Sequence, residues 1–490
     1  MKSRNRLIAI IAAAVVLLAA LTLIIVNAVN CSGNTSVALS PEKAIELYNS
    51  ATEKALSSED FKLDITTTKN TTVENSKLAL TSQQSLTYSG YNAEHMVAQS
   101  VETLTVGQNE ISITESFVNN TAYFTIDGAA FTGAMSKDAY IGRFAPLNPV
   151  TAANYQAVTA TKGPEGTFIQ FADPSIAESW CLPAGAQMRG ADGSVQLDTS
   201  SNLLTSTYHI EYAIDDVLFD QTVTVAFTPI EDAQISIPTD GKQVTAAYLD
   251  AARDLEIMYG YLLQSGNMYA VASEDINCQA GAIHRVQKTT LDMDNAESGL
   301  SATIETNIEI ADYSDGGSTT TYAQLERFVG NTYTISTNGT EPVVQADVTA
   351  DQTLTYCQDL LTKNIILPKN IAAIETITEN GVITLKITGS EQLAQLICQN
   401  ACKTLYDDAE LLNNLASSYK TNAITCYYKL DQVTGLPLAA GLDYSGEHTI
   451  EGFAYTLTYT AEIAYGEPET PPEVPVDETT PTEETTAPKS

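Results

Sequence analysis

The sequence predicts an α+β protein in which one N-terminal transmembrane helix precedes two tandem modules, each a curved antiparallel β-sheet packed on a few helices. Three observations predict it. An uninterrupted apolar run opens the chain, Thr-rich segments alternate apolar and polar residues through much of the remainder, and three motifs recur in the same order in the two halves. The 490 residues are enough for about three domains at roughly 150 residues each. The formal net charge is −36, from 24 Lys+Arg against 60 Asp+Glu. That balance argues against a nucleic-acid partner, because a polyanion is repelled rather than bound through counterion release. It also argues against a broad electrostatic hold on anionic lipid.

Lys2, Arg4 and Arg6 precede the run from Leu7 to Val26, whose only polar residue is Thr22. At 1.5 Å rise per residue such a run spans about 30 Å, the thickness of a bilayer's hydrocarbon core. No charge falls between Leu7 and Pro41. The positive-inside rule therefore leaves a short cytoplasmic stub and puts the bulk of the chain outside a cell membrane crossed once. Residues 1–30 are read as stub and anchor, and 31–40 as a linker. Two alternatives stay open for this segment. One is a cleaved signal peptide, whose apolar region is usually shorter, about 7–15 residues. The other is lipid attachment at Cys31, although Ala28-Val29-Asn30 lacks the leucine and the small residue that a lipobox uses.

Each module opens with a helix. In the first, spanning 41–236, Ser40 is a good N-cap, Pro41 suits the first helical position and Glu42 favours the positive end of the helix dipole. Ile45, Tyr48, Ala51 and Ala55 then form one apolar stripe. After a linker at 237–244, the second module spans 245–466. Its helix begins at Thr245 and places Tyr248, Ala252, Leu255, Met258, Tyr259 and Leu262 at helical spacing, with Gly266 able to stop it. Both Tyr-containing stripes are read as core.

Strands follow. Val223, Val225 and Phe227 alternate with Thr222, Thr224 and Thr228. Tyr455, Leu457, Tyr459, Ala461 and Ile463 alternate with Thr456, Thr458, Thr460 and Glu462. Ile304, Ile308 and Ile310 oppose Glu305 and Glu309. Such alternation gives sheets with one wet and one dry face. The dry face must be covered, and the candidates are the opening helix and a second one after Ser175 or Ser390.

The halves repeat one another. Phe117-Val118-Asn119-Asn120-Thr121 leads to Gly128 as Phe328-Val329-Gly330-Asn331-Thr332 leads to Gly339. The segment from Gly166 to Ser175 matches that from Gly381 to Ser390 at equal spacing. The segment Leu197-Asp198 to Leu203 matches Leu430-Asp431 to Leu436, and its Asp, Ser/Thr and Asn/Gly residues are hairpin-turn chemistry. This order of elements, with a starting helix, a Thr-rich meander and the closing Leu-Asp hairpin, resembles the LolA/LppX-type lipoprotein fold. It looks most like the anchored versions found in Firmicutes. The resemblance covers 41–236 and 245–466 and implies half-barrels whose concave sides pack on helices. In carrier members that side also leaves an apolar cavity for acyl chains. It therefore implies a hydrophobic or lipid ligand as the first candidate, and no site residue carries over.

The sequence offers little chemistry beyond that. Cys31, Cys181, Cys278, Cys357, Cys398, Cys402 and Cys426 include no CxxC pair, so a redox motif and a zinc site are unsupported, and buried thiols or one or two disulfides both stay open. His95, His209, His284 and His448 form no catalytic motif and read as surface or strand residues. Asp292-Met293-Asp294-Asn295 lacks the Gly and final Glu of a calcium loop and reads as a turn; Asp215-Asp216 and Asp407-Asp408 read as turn or helix-surface acids. Trp180 reads as a core anchor. From Glu467 to Ser490 the chain is Pro-, Thr- and acid-rich and should be disordered. The expectation is a non-enzymatic binding protein without cofactor or metal, the alternative a structural or sensory ectodomain acting through protein contacts.

Overall fold

A computed structural model describes residues 36–466 except 74–75, 108, 127, 145–157, 173–184, 232, 239–240, 265–266, 279–280, 293–300, 314–316, 363–370, 390–418 and 451–452. The expected anchor, Cys31, Trp180, the expected helices after Ser175 and Ser390, Asp407-Asp408 and the acidic tail lie outside the described residues. Within them, no helix is long and apolar enough to cross a membrane.

The first half runs β1 (Val37–Leu39), α1 (Pro41–Leu56), β2 (Phe61–Val73), β3 (Ser76–Ser89), β4 (Val97–Val106), β5 (Asn109–Val118), β6 (Thr121–Ile126), β7 (Ala129–Ala134) and α2 (Lys137–Arg143). It closes with β8 (Val158–Gly163), β9 (Gly166–Phe171), β10 (Gln187–Leu197), β11 (Leu203–Ile214) and β12 (Val217–Pro229). The second half runs β13 (Lys242–Gln243), α3 (Ala246–Gln264), β14 (Asn267–Cys278), β15 (Gly281–Asp292), β16 (Ser301–Asp312), β17 (Ser318–Val329), β18 (Thr332–Thr337), β19 (Val343–Ala346) and α4 (Ala350–Thr362). It closes with β20 (Ile371–Glu379), β21 (Val382–Gly389), β22 (Tyr419–Asp431), β23 (Pro437–Ile450) and β24 (Phe453–Gly466).

The two sheets share one strand order. The first reads β8-β9-β10-β11-β12-β2-β3-β4-β5-β6-β7 and the second β20-β21-β22-β23-β24-β14-β15-β16-β17-β18-β19. The first sheet also carries β1 beside β8 and β13 beside β7. The β13–β7 pairing is parallel, whereas β1–β8 and the pairings that close each sheet, β12–β2 and β14–β24, are antiparallel. Both segments read as linkers thus contain a short strand.

Local sequence explains the repeated pieces. Ser40 caps α1 by accepting from the Lys43 amide, and Ala44, Ile45, Tyr48, Ala51 and Ala55 are buried beneath it. Asn119 and Asn120 take positive φ between β5 and β6, and Gly330 does so between β17 and β18. Such values are costly for most L-residues and tolerated by Asn and Gly. Asp198 accepts from the Ser200 and Asn202 amides at 2.8 and 2.7 Å, and Asp431 from the Val433 and Thr434 amides at 3.1 and 2.7 Å. These side chains stand in for missing backbone bonds in the turns. Asp215, at positive φ, turns β11 into β12.

Helix α3 has two sets of neighbours. It lies on β20 and β23 of its own half, as α1 lies on β8, β10 and β11, and it also lies on β4 and β5 of the first half. One apolar core consequently runs through both halves, from Ile45 and Phe117 through Leu255 to Tyr428 and Ile463. The described covering helices of the sheets' other arms are α2 and α4, which precede β8 and β20 rather than following Ser175 and Ser390.

Candidate functional site

The inner faces of the two sheets are where the fold would place a ligand, and both carry buried acids. Glu115 on β5 and Glu326 on β17 each stand two residues before the repeated Phe-Val pair, on the same face as Phe117 and Phe328. Period-two alternation turns both inward. Glu115 faces Arg143, the last residue of α2, with Nε to Oε1 at 3.0 Å and a second contact from Nη2 to Oε2 at 3.3 Å. Burial raises the Glu115 pKa, and Arg143 holds that rise back. Glu326 instead accepts from the hydroxyls of Tyr333 at 2.9 Å and Tyr356 at 3.1 Å and from the Gln324 amide at 2.9 Å.

Two further acids lie nearby. Glu102 on β4 accepts from Ser82 and from Arg253 of α3, both at 2.6 Å. Glu274 on β14 accepts from Arg285 at 2.7 Å and from Tyr459 at 2.5 Å. A buried charge is tolerated only when paired and hydrogen-bonded, and each of these acids is. Desolvation raises the Tyr459 hydroxyl's pKa, and the neighbouring Glu274 adds to the rise. These acids are therefore occupied in holding the fold. Sequence reading passed over all four.

A space of about 30 Å³ is lined by Glu274, Arg285, Gln287, Leu360, Ala461 and Ile463, among others. That is room for about one or two waters, far below the roughly 300 Å³ of a small-molecule pocket. A larger recess of about 500 Å³ is open to solvent and lined by His284, Asn307, Glu309, Thr321, Tyr322 and Asn338, among others.

The halves differ in how their inner faces are covered. In the first, Gly260 of α3 sits so close to Val106 that an added Cβ would fall 2.5 Å from the Val106 Cβ. Tyr248 of α3 meets Phe131 with ring centroids 4.9 Å apart. Leu104, Val106, Ile111 and Phe131 are all buried. Their register counterparts in the second half are Ile308, Ile310, Tyr322 and Val343, reading across the strand pairs from Phe117 and from Phe328. Ile310 is 36% exposed, Tyr322 42% and Val343 68%. Ile310, expected on a dry face, lies on the inner face and is partly exposed.

The sequence-derived candidates are scattered. Cys357 and Cys426 are buried free thiols, and burial pushes each up to about 12. His95 is exposed, and His284 lies on the outer face beside Asp275 at 2.7 Å. His209 stands between Asp192 at 3.0 Å and Asp220 at 3.2 Å on the outer face of β10–β12. With Glu211 and Asp220 it offers three donor atoms within 4.8 Å of one another, the one grouping among the described residues able to hold a cation. All three side chains are open to solvent, and His209 is already satisfied by its acids.

No protein-family model matches this chain, and no curated protein matches it. Among solved structures it is similar to LprF from Mycobacterium bovis, with 10% identity over 40% of this chain and 97% of that one, at a TM-score of 0.24. It is also similar to the outer membrane protein OprD from Pseudomonas aeruginosa, with 7% identity over 83% and 94% of the two chains and a TM-score of 0.11. A putative AttH from Nitrosomonas europaea gives 7% identity, 82% and 92% coverage and a TM-score of 0.13. Likenesses at such TM-scores carry no weight for function.

Proposed function

We propose that this chain is a membrane-anchored, extracytoplasmic, non-enzymatic binding protein that acts through its surfaces, as a structural or sensory ectodomain. The observation that supports this reading is how the first half is closed: α3 lies across the inner face of β4 and β5, where Leu104 and Val106 are buried. A hydrophobic effect strong enough to hold an acyl chain needs apolar area to remove from water, roughly 25 cal/mol per Å². In the first half α3 already takes up that area, against Val106 and Phe131. A second reading, carriage of a hydrophobic or lipid ligand, is favoured by the partly exposed Ile310 and Tyr322 on the inner face of the second half.

Native mass spectrometry of the full chain purified in detergent, followed by organic extraction, separates the two. The surface reading expects a mass equal to the polypeptide and no stoichiometric lipid in the extract. One bound lipid per chain, lost on Tyr322→Asp substitution, would replace it with the carrier reading.

A further inference from the structure

The joint between the two halves is a template with one free end. Within the chain, β13 adds to the β7 edge, with Lys242 opposite Phe131 and Gln243 opposite Thr132. It then hands over to α3, which covers the inner face of β4 and β5. The Lys242 ammonium reaches the Ile371 carbonyl of β20 at 2.7 Å, so β13 is the stitch between the β7 edge of one sheet and the β20 edge of the other. In the second half the counterpart of the β7 edge is β19, and the counterparts of Phe131 and Thr132 are Val343 and Val344. They are 68% and 63% exposed. Exposed apolar edge strands are normally blunted by charge, proline or cover, and this one carries two valines.

At the other end of the chain, β1 and α1 are the counterparts of β13 and α3. β1 pairs with β8 along one edge, the position at which β13 touches β20 through the Lys242 side chain, and no strand is paired to its other edge among the described residues. Val37 on β1 is 59% exposed. We propose that copies of this chain associate head to tail, the β1–α1 unit of one copy seating on the β19 edge and the Ile310–Tyr322 face of the next, as β13–α3 seats on the first half. The occupant is a second copy because β1–α1 precedes the first module as β13–α3 precedes the second, and β13–α3 already covers the equivalent edge and face within the chain. Terminal units of a repeat array remain sticky unless capped, and a heterologous contact of this kind can recruit further copies into a ring or a filament. Outward-facing Lys43, Glu46, Glu53 and Lys54 make α1 more polar than α3, whose Gly260 packs against apolar Val106. The joint between copies is accordingly weaker than the one within the chain and reversible. It names one partner for the surface reading above and rests on it.

The test uses the full chain in detergent. Sedimentation should show concentration-dependent species larger than the monomer, lost on Val344→Asp, a solvent-exposed change that leaves the circular dichroism spectrum unaltered. Val37→Cys and Val344→Cys variants, carrying different tags and mixed, should cross-link to each other through a short bis-maleimide above the background of the parent chain. A monomer at every concentration would overturn the joint while leaving the surface reading in place. So would association unaffected by Val344→Asp, or cross-linking of Val344→Cys only to itself. Lipid found seated over Tyr322 would overturn both.

Discussion

Glu115 and Glu326 occupy the same place in two sheets but are held by different partners, and their removal should differ accordingly. Glu115→Ala leaves the part-buried Arg143 guanidinium with only the exposed Asp250, a loss of about 2–4 kcal/mol, somewhat under that of a fully buried broken pair. Glu326→Ala leaves two tyrosine hydroxyls that can rotate toward other acceptors, a loss of about 1–3 kcal/mol. Urea denaturation at neutral pH should rank them in that order, and the reverse order would mean that Arg143 is well solvated. His209 gives a pH signature. Partial burial lowers its pKa, but Asp192 and then Asp220 outweigh burial, so the net shift is upward. Stability from that charged histidine is complete below its unfolded value of about 6.5 and is lost as pH rises through the higher folded value. His209→Gln should therefore lower the melting temperature in mildly acidic buffer and leave it nearly unchanged in alkaline buffer; an equal loss in both would remove the charge from the explanation. The inner acids were legible in principle. Glu115 shares the parity of Phe117, and Glu326 that of Phe328, so the same alternation that sends Glu305 and Glu309 outward sends these two in. An acid on a Thr-rich strand reads as solvent-facing until its parity is compared with the nearest aromatic.

At the scale of elements, what depends on neighbours in sequence was readable and what depends on neighbours in space was not. The Ser40 cap, the α1 stripe and the Asp198 and Asp431 hairpins rest on contacts within a few residues, so residue identity alone located them. Helix α2 has a single turn or two with one buried aromatic, Tyr140, too short for a periodic stripe to stand out. Strand β13 is two residues long and exists because the β7 edge is next to it. Helix α3 was expected from its stripe, but its second seat on β4 and β5 is fixed by Gly260, a residue that reads in sequence as a weak point. A glycine within a helix normally favours the helix by about 1 kcal/mol when changed to alanine. Here the new methyl would meet Val106 at 2.5 Å, and overpacking of this kind loses about 1–3 kcal/mol. Gly260→Ala should therefore lower the urea midpoint, while the same change combined with Val106→Ala should recover part of it. Recovery is the informative arm, since it ties the loss to that contact rather than to the helix.

For the whole molecule, the consequence of α3 is cooperative unfolding. Two β-rich modules joined only by a linker would unfold as separate units, each at its own temperature. In this chain the helix that opens the second half closes the first, and three kinds of contact cross between them. Arg253 and Asp250 reach Glu102 and Arg143, Tyr248 meets Phe131, and Val433 in the second half's closing hairpin packs with Tyr212 and Phe219. Removing α3 would expose Leu104, Val106 and Phe131 together, an apolar face that a soluble module does not leave open. The full chain should give one calorimetric transition, with calorimetric and van't Hoff enthalpies in agreement. A Gly260→Ala substitution should move that entire transition rather than split it. A fragment ending at residue 236 should lack a cooperative transition, and extending it through Gln264 should restore at least part of one. Two separable transitions in the full chain, with the fragment ending at 236 folding on its own, would show that the halves are independent and that the α3 contact is incidental to the stability of the first.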